Sequence, residues 1–278
     1  LREVINNGTN AADALYDYMK KIPAVQYTPP ANQMSFPFNQ RWLLGAWKAL
    51  FFDEGPFEPD LERSAEWNRG AYLVDALAHC SACHSPRNMM GAESKSHALT
   101  GGTYTDKIPG GELRKWSTPN LTSASNGLGA WSVDDLTAYL ATGQNSFLTT
   151  FGPMNEVILN STRRLPEADV RAMAVYLKDV PANEGKLQGP ASAEELKTGR
   201  ILYNVYCGTC HLPTGLGGED IGSRLAGGSL VVQASDPAAL INVILYGPQL
   251  PVPHLPSKRS KVMEAFGDQL SDEDVALI

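Results

Sequence analysis

The sequence predicts an all-α fold made of two small units in tandem, and three observations carry that prediction. All four cysteines fall in two copies of one pentapeptide, Cys80-Ser81-Ala82-Cys83-His84 and Cys207-Gly208-Thr209-Cys210-His211. Each copy follows an apolar stripe at helical spacing, and each is followed by a loop rich in Gly, Pro and Asn that leads to a capped helix. With 25 Gly and 19 Pro in 278 residues, the chain suits loop-rich units better than one large sheet.

The elements follow in order. Ser64 is a helix cap, and the helix expected from Ala65 to Cys80 puts Ala71, Val74 and Ala78 on one stripe beside Leu73 and Leu77. Leu165-Pro166-Glu167-Ala168-Asp169 opens a helix through Lys178, with Val170, Ala174 and Leu177 at helical spacing. A polar stretch from Pro181 to Pro190 reads as a linker. The second copy repeats the plan, with a helix from Ala193 to Cys207 carrying Leu196, Ile201, Leu202 and Val205, and a last start signal at Leu270-Ser271-Asp272-Glu273-Asp274. Gly70 and Gly199 recur upstream of the two motifs. A glycine inside a helix costs about 1 kcal/mol against alanine, so a repeated one predicts a close helix crossing, with Tyr176 placed to cover Gly70. The units are placed at residues 60–186 and 187–278, the second truncated at its C-terminus.

Composition narrows the function. Hydrophobic residues make up 43% and charged residues 19%, as in globular chains. A net charge of −7 opposes binding to a polyanion, so no nucleic-acid partner is expected. No run approaches the roughly 20 apolar residues that span a bilayer, and no basic segment precedes an apolar run at the N-terminus. The chain reads as mature or as a fragment.

Cys-x-x-Cys-His has a specific chemistry. Thiols at i and i+3 share one helix face and reach the two vinyl groups of a porphyrin as thioethers, and the next His supplies the proximal iron ligand. The sequence thus specifies two covalently attached heme c groups, at Cys80, Cys83 and His84 and at Cys207, Cys210 and His211, in tandem c-type cytochrome domains with long heme-wrapping loops. Three other readings compete. An all-cysteine zinc site would have to join pairs more than a hundred residues apart and would leave each His unexplained. A thioredoxin-like dithiol belongs after a strand, whereas both motifs follow helical patterns. Structural disulfides across Cys-x-x-Cys close too short a loop to constrain the chain much.

An electron-transfer heme commonly takes a Met sulfur as sixth ligand, which raises its potential. Met19, Met34, Met89, Met90, Met154, Met173 and Met263 are the candidates. Met173 belongs to a helical stripe and reads as core, while Met89 and Met90 follow His84 too closely to reach the opposite face. Met154, in Phe151-Gly152-Pro153-Met154-Asn155, and Met263, in Val262-Met263-Glu264-Ala265-Phe266-Gly267, stand just before the closing helices of their units and are the expected ligands. His79, His97 and His254 lack that equivalence.

With the motifs placed, the sequence resembles the multiheme cytochrome c subunit of bacterial membrane-bound dehydrogenases, which serves alcohol, sugar, gluconate and aldehyde oxidising complexes. The resemblance rests on Ser64 through Val74, Cys80 through Asn88, Trp116-Ser117-Thr118-Pro119-Asn120-Leu121-Thr122, Gly152-Pro153-Met154 and Asn160-Ser161-Thr162. It implies an electron-transfer subunit with no catalytic residue of its own. Electrons would pass from a catalytic dehydrogenase subunit to ubiquinone at the periplasmic face of the inner membrane, with the chain peripherally associated there. Members usually carry three hemes. By the resemblance, Ala11 through Met19 with Ile22-Pro23-Ala24-Val25 looks like the closing helix of a preceding heme domain, so residues 1–59 read as its remnant plus an aromatic linker, and a third heme is expected in the missing part. A natural two-heme variant is the alternative. Beside the first heme, Arg87 is a candidate to pair with a propionate, and Trp116 and Asn120 to wall or hydrogen-bond the ring.

Two segments suggest contacts. Phe36-Pro37-Phe38 and Arg41 through Phe52 form an aromatic run too short to cross a membrane, expected to pack between heme domains, with dehydrogenase docking or shallow membrane contact as alternatives. Leu250 through Pro256 reads as an extended loop. The rival function is a diheme cytochrome c peroxidase, which needs one iron open to peroxide; a third is a metal-free interaction module.

Overall fold

The computed structural model describes residues 9–53, 55, 57–108, 111–185, 189–218, 221–248 and 262–278. His254 and the whole of the expected loop from Leu250 to Pro256 therefore lie outside the described residues. The chain divides into two compact units between Asp60 and Leu61.

The first unit contains α1 (Thr9–Lys21) and α2 (Leu43–Phe51). None of its described side chains is buried. The aromatic run is expected to be covered, yet Phe36, Phe38, Trp42, Leu44 and Leu50 are exposed, Trp42 at 73%. A nine-residue helix that is apolar on most sides has too little chain around it in this unit to bury them.

The second unit opens with α3 (Ala65–Ala71), capped by Ser64, whose hydroxyl accepts from the Trp67 amide at 3.0 Å. The α-helix expected as far as Cys80 stops sooner. It widens into a π turn over Tyr72–Leu77, in which the Ala78 amide donates to Leu73 O at 2.8 Å, and His79 then takes a left-handed φ of 40°. The extra residue of the wider turn redirects the chain, so the motif begins a separate short helix, α4 (Ser81–His84).

Next comes an antiparallel hairpin, β1 (Gly102–Lys107) and β2 (Leu113–Thr118), with Tyr104 opposite Trp116. Then come α5 (Val133–Thr142), α6 (Met154–Asn160) and α7 (Glu167–Asp179). The sequence pattern predicts loop over the hairpin, α5 and α6, and the structure differs. The signal for α5 is nonetheless present, since Ser132 and Asp135 form a reciprocal capping box and Gly143 ends the helix at φ 75°. Around α3, α5 and α7 lies one core of Leu73, Val74, Leu128, Trp131, Met173 and Leu177 with their neighbours. Met173 is 1% exposed within it.

Residues 189–278 supply α8 (Ala193–Tyr206), α9 (Gly208–His211), α10 (Ala238–Tyr246) and α11 (Asp272–Leu277). The apolar helix α10 also occupies a stretch where loop is expected. The core here is small: among the described residues only Ile244, Leu270 and Val275 are buried in it, with Tyr206, Met263 and Phe266 packed alongside.

The two halves of this unit interlock. Trp131 Nε1 donates to Gly228 O at 2.8 Å, Asn242 donates to Lys115 O at 2.7 Å, and the Ala239 amide donates to Ser117 Oγ at 3.0 Å. Leu230 is buried in the first core. Residues 228–246 are thereby fastened to β2 and to the start of α5.

The expected crossings occur at both glycines. A Cβ on Gly70 would lie 2.0 Å from Ala172 O and 2.8 Å from Tyr176 Cβ, and one on Gly199 would lie 2.0 Å from Leu277 O. Beside the first crossing, Arg69 forks onto Asp169 through bonds of 2.9 and 2.8 Å and holds that carboxyl below its ordinary range. A carboxylate with a depressed native pKa stabilises the fold above its unfolded value, about 3.9, and that contribution is lost as pH falls through the native value. Asp169→Asn is expected to cost about 1–2 kcal/mol at neutral pH. The gap between variant and parent, read by urea unfolding, should narrow below about pH 4.

Candidate functional site

Both pentapeptides are held in the same way. In the first, Cys80 precedes α4 and Cys83 and His84 lie within it. The loop that follows returns over the motif: the Gly101 amide donates to His84 O at 2.9 Å and Thr118 Oγ1 donates to Cys83 O at 2.7 Å. His84 Nδ1 lies 2.8 Å from Pro119 O. A carbonyl only accepts, so Nδ1 carries the proton and Nε2 keeps its lone pair. Burial lowers the His84 pKa, which favours that neutral form, while the Pro119 bond opposes this more weakly.

In the second motif the Gly217 amide donates to His211 O at 2.9 Å, and His211 Nδ1 lies 2.7 Å from Ser223 O. Glycine is required where each loop crosses its motif. A Cβ on Gly102 would fall 2.8 Å from Cys83 O, and one on Gly222 would fall 2.5 Å from Cys210 O. Pro119 and Ser223 are acceptors that sequence reasoning misses. Pro119 stands inside a stretch that carries the family resemblance, whereas Ser223 has no signal, because a backbone carbonyl is common to every residue type.

The thiols form no disulfide. Burial pushes Cys80 up to about 12, with the charge of Asp75 adding to it, and burial raises Cys83 and Cys207 as well. A redox dithiol needs a lowered thiol pKa, so these surroundings disfavour the thioredoxin-like reading.

Cys207, Cys210, His211 and Met263 line one cavity of about 470 Å³, of the size that takes a cofactor. Its walls are largely apolar, including Val232, Leu240, Val243 and Phe266. Phe147, Leu148, Thr149 and Phe151, from the preceding half of the unit, form another wall.

Around the first motif, Cys80 and Met154 both border the first core. Met154 is the first residue of α6, and the preceding Gly152, at φ 58°, lies against the Trp116 ring, where a Cβ would be 3.0 Å away. Trp116 is 5% exposed, packs against Phe151 at 6.1 Å, and has a buried Nε1 with no acceptor. Asn120 is buried but occupied: it donates to Asn126 Oδ1 and Asn183 O and accepts from the Thr122 amide. Arg87 is exposed and donates to Ala82 O and Gly91 O, both at 2.8 Å, bracing the turn after the motif.

The remaining candidates stand apart from these clusters. Met19, Met34, Met89 and Met90 are exposed, as are His79 and His97. Among the described residues no three of His, Cys, Asp and Glu gather as a metal site, and no helix is long and apolar enough to cross a membrane.

The family model for cytochrome c oxidase, cbb3-type, subunit III matches residues 194–278. Over 276 residues the chain is 39% identical to a subunit of the nicotinate dehydrogenase of Pseudomonas putida, covering 96% of this chain and 22% of that protein. It is 35% identical to the fructose dehydrogenase cytochrome subunit of Gluconobacter japonicus, over 95% of this chain and 58% of the other. It is 33% identical to the cytochrome c subunit of the quinone alcohol dehydrogenase of Gluconobacter oxydans, over 93% and 56%. The chain therefore spans well under two thirds of the length of these relatives.

Proposed function

We propose, from the premise that this chain belongs among the cytochrome c subunits of membrane-bound dehydrogenases, that it carries electrons from a catalytic dehydrogenase subunit toward ubiquinone. The transfer would take place at the periplasmic face of the inner membrane, with the chain held there peripherally. The chain itself would oxidise no organic substrate.

The observation that carries this reading is the matched pair of motifs, in which a loop carbonyl fixes His Nδ1–H and leaves Nε2 to a metal. The residues fit a heme. Cys80 and Cys83, and Cys207 and Cys210, would be the thioether donors, and the buried, unpartnered Nε1 of Trp116 calls for an acceptor that the protein does not supply. His84 with Met154, and His211 with Met263, are the proposed axial pairs. Trp116 would wall the first ring, Asn120 would hold the loop behind it, and Arg87 would meet a propionate with whatever donor capacity its backbone bonds leave. Residues 60–186 and 187–278 are then two heme modules. A bound heme supplies a reversible one-electron couple, and thioether ligation raises its potential.

The fold's part is to keep each imidazole neutral and aimed and to line the site with apolar groups. For the second site the cavity that brings Met263 together with His211 is the main support.

The test is expression of the whole chain in a bacterium that matures c-type cytochromes. Intact mass should exceed the polypeptide by two hemes, and the spectrum should be low-spin. Met263→Ala should make one heme high-spin, and Met154→Ala the other. Unchanged spectra in both variants would remove the axial assignments. Fast hydrogen peroxide reduction by the reduced protein would favour the diheme peroxidase instead.

A further inference from the structure

We infer that Arg114 is the cation that receives a propionate of the first heme, acting together with Trp116. This rests on the reading that a heme is attached at Cys80 and Cys83. Arg114 lies two residues before Trp116 on β2, and side chains two apart in a strand share a face. Thr118, two further on, shares it too. That face borders the first site at Thr118, which bonds Cys83 O, and at Trp116, which lies under Gly152, two residues before Met154, and Arg114 is next along it.

Arg114 and Trp116 share an unusual condition. Arg114 Nη1 is buried without a hydrogen-bond acceptor, and so is Trp116 Nε1. A buried donor with no acceptor is costly, and more so when it is charged, so two of them on one strand face point to an acceptor supplied from outside the polypeptide. The guanidinium is also oriented. Its carbon sits 4.0 Å from the centroid of the Tyr246 ring, which covers the flat face and leaves the edge donors free to fork onto a carboxylate.

No acidic side chain among the described residues satisfies that nitrogen. Asp236 is taken by Lys115, and Glu112, which lines the same small cavity as Arg114, is exposed. Arg87 differs on each count, being exposed and bonded to two backbone carbonyls. A heme brings two carboxylates, and a half-buried Arg with an indole N–H on the same face is a donor set suited to one of them.

A cation next to a propionate stabilises the reduced heme, so losing it should lower the potential of that heme. The experiment is a redox titration of the whole holo-chain, with the two waves assigned by NMR contacts from heme methyls to neighbouring side chains. Arg114→Gln should lower the reduction equilibrium constant of the first heme about tenfold, or about 59 mV for one electron, and leave the second heme in place. Arg114→Lys should recover most of the shift. Trp116→Phe removes the N–H together with part of the ring and should move the same wave the same way by about threefold, which decides the matter if the Gln variant does not mature.

A first-heme constant within twofold of the parent in a fully loaded Arg114→Gln protein overturns the inference, as does a shift confined to the second heme. Heme counting by mass separates these outcomes from failure of the attachment itself.

Discussion

Gly70→Ala is expected to destabilise the heme protein by at least about 3 kcal/mol. The added methyl would have to occupy a point 2.0 Å from Ala172 O and 2.6 Å from its carbonyl carbon. Both are helical backbone atoms that no rotamer change can move. Forcing a methylene into a well-packed contact costs typically 1–3 kcal/mol, and here α3 and α7 must separate as whole helices. That separation also strains the Arg69–Asp169 fork and the Tyr176 hydroxyl bond to Asp75. The gain in helix propensity, about 1 kcal/mol, does not offset this. Thermal unfolding followed by circular dichroism should show the loss as a fall in midpoint of several degrees or more. Gly45→Ala is the control. It too is a helical glycine, but a Cβ there meets nothing within 4 Å, so it should be neutral or slightly stabilising.

Replacing Cys207 and Cys210 together by serine is expected to remove one heme and with it the ordered structure of the second module. The two cores differ. Around the first motif a continuous cluster includes Trp131, Leu128, Ile158, Met173 and Val170, all essentially inaccessible to solvent. Around the second, among the described residues, only Ile244, Leu270 and Val275 are buried in the cluster, and Ile244 borders the 470 Å³ cavity instead of filling it. A module of this size cannot bury enough apolar surface from its own chain, so the proposed porphyrin would be part of its core. The double variant should show half the heme absorbance, rapid proteolysis after residue 189, and amide exchange protection kept in α3, α5 and α7. The matching change at Cys80 and Cys83 should leave more residual structure, because the first core stands without the ring. Equal exchange protection in the two modules of the Cys207/Cys210 variant would contradict this account.

The covalent chemistry is readable because it is written in side chains at fixed spacing. Five residues spell the proposed thioether donors and proximal ligand, and Gly70 and Gly199 announce crossings that the packing displays. Start signals at Ser64 and Ser271 are equally plain, since a hydroxyl cap is a local device. What escapes lies in backbone atoms or in distant partners. Pro119 O and Ser223 O orient the histidines, and a carbonyl leaves no mark on composition. The π turn at Tyr72–Leu77 differs from an α-helix only in which carbonyl each amide chooses. β2 reads Leu-Arg-Lys-Trp-Ser-Thr, too polar to announce a strand, and its burial arises from Gly152 over Trp116 and from α10, over a hundred residues later, at Ser117. Nearness to the motif singles out Arg87 in the sequence. Arg114 can be picked out only once burial shows which guanidinium nitrogen is stranded.

Phe147, Leu148, Thr149 and Phe151 precede the linker yet close the cavity that holds the second motif, and residues 228–246 are bolted back onto β2. Such modules cannot be exchanged by recombination as free-standing cassettes, however regular the duplicated motif makes them look. A gene cut in the linker would hand its recipient a half-shell, open on the side where the neighbour's aromatic rings belong. The two halves therefore have to be carried together, each completing the walls of the other.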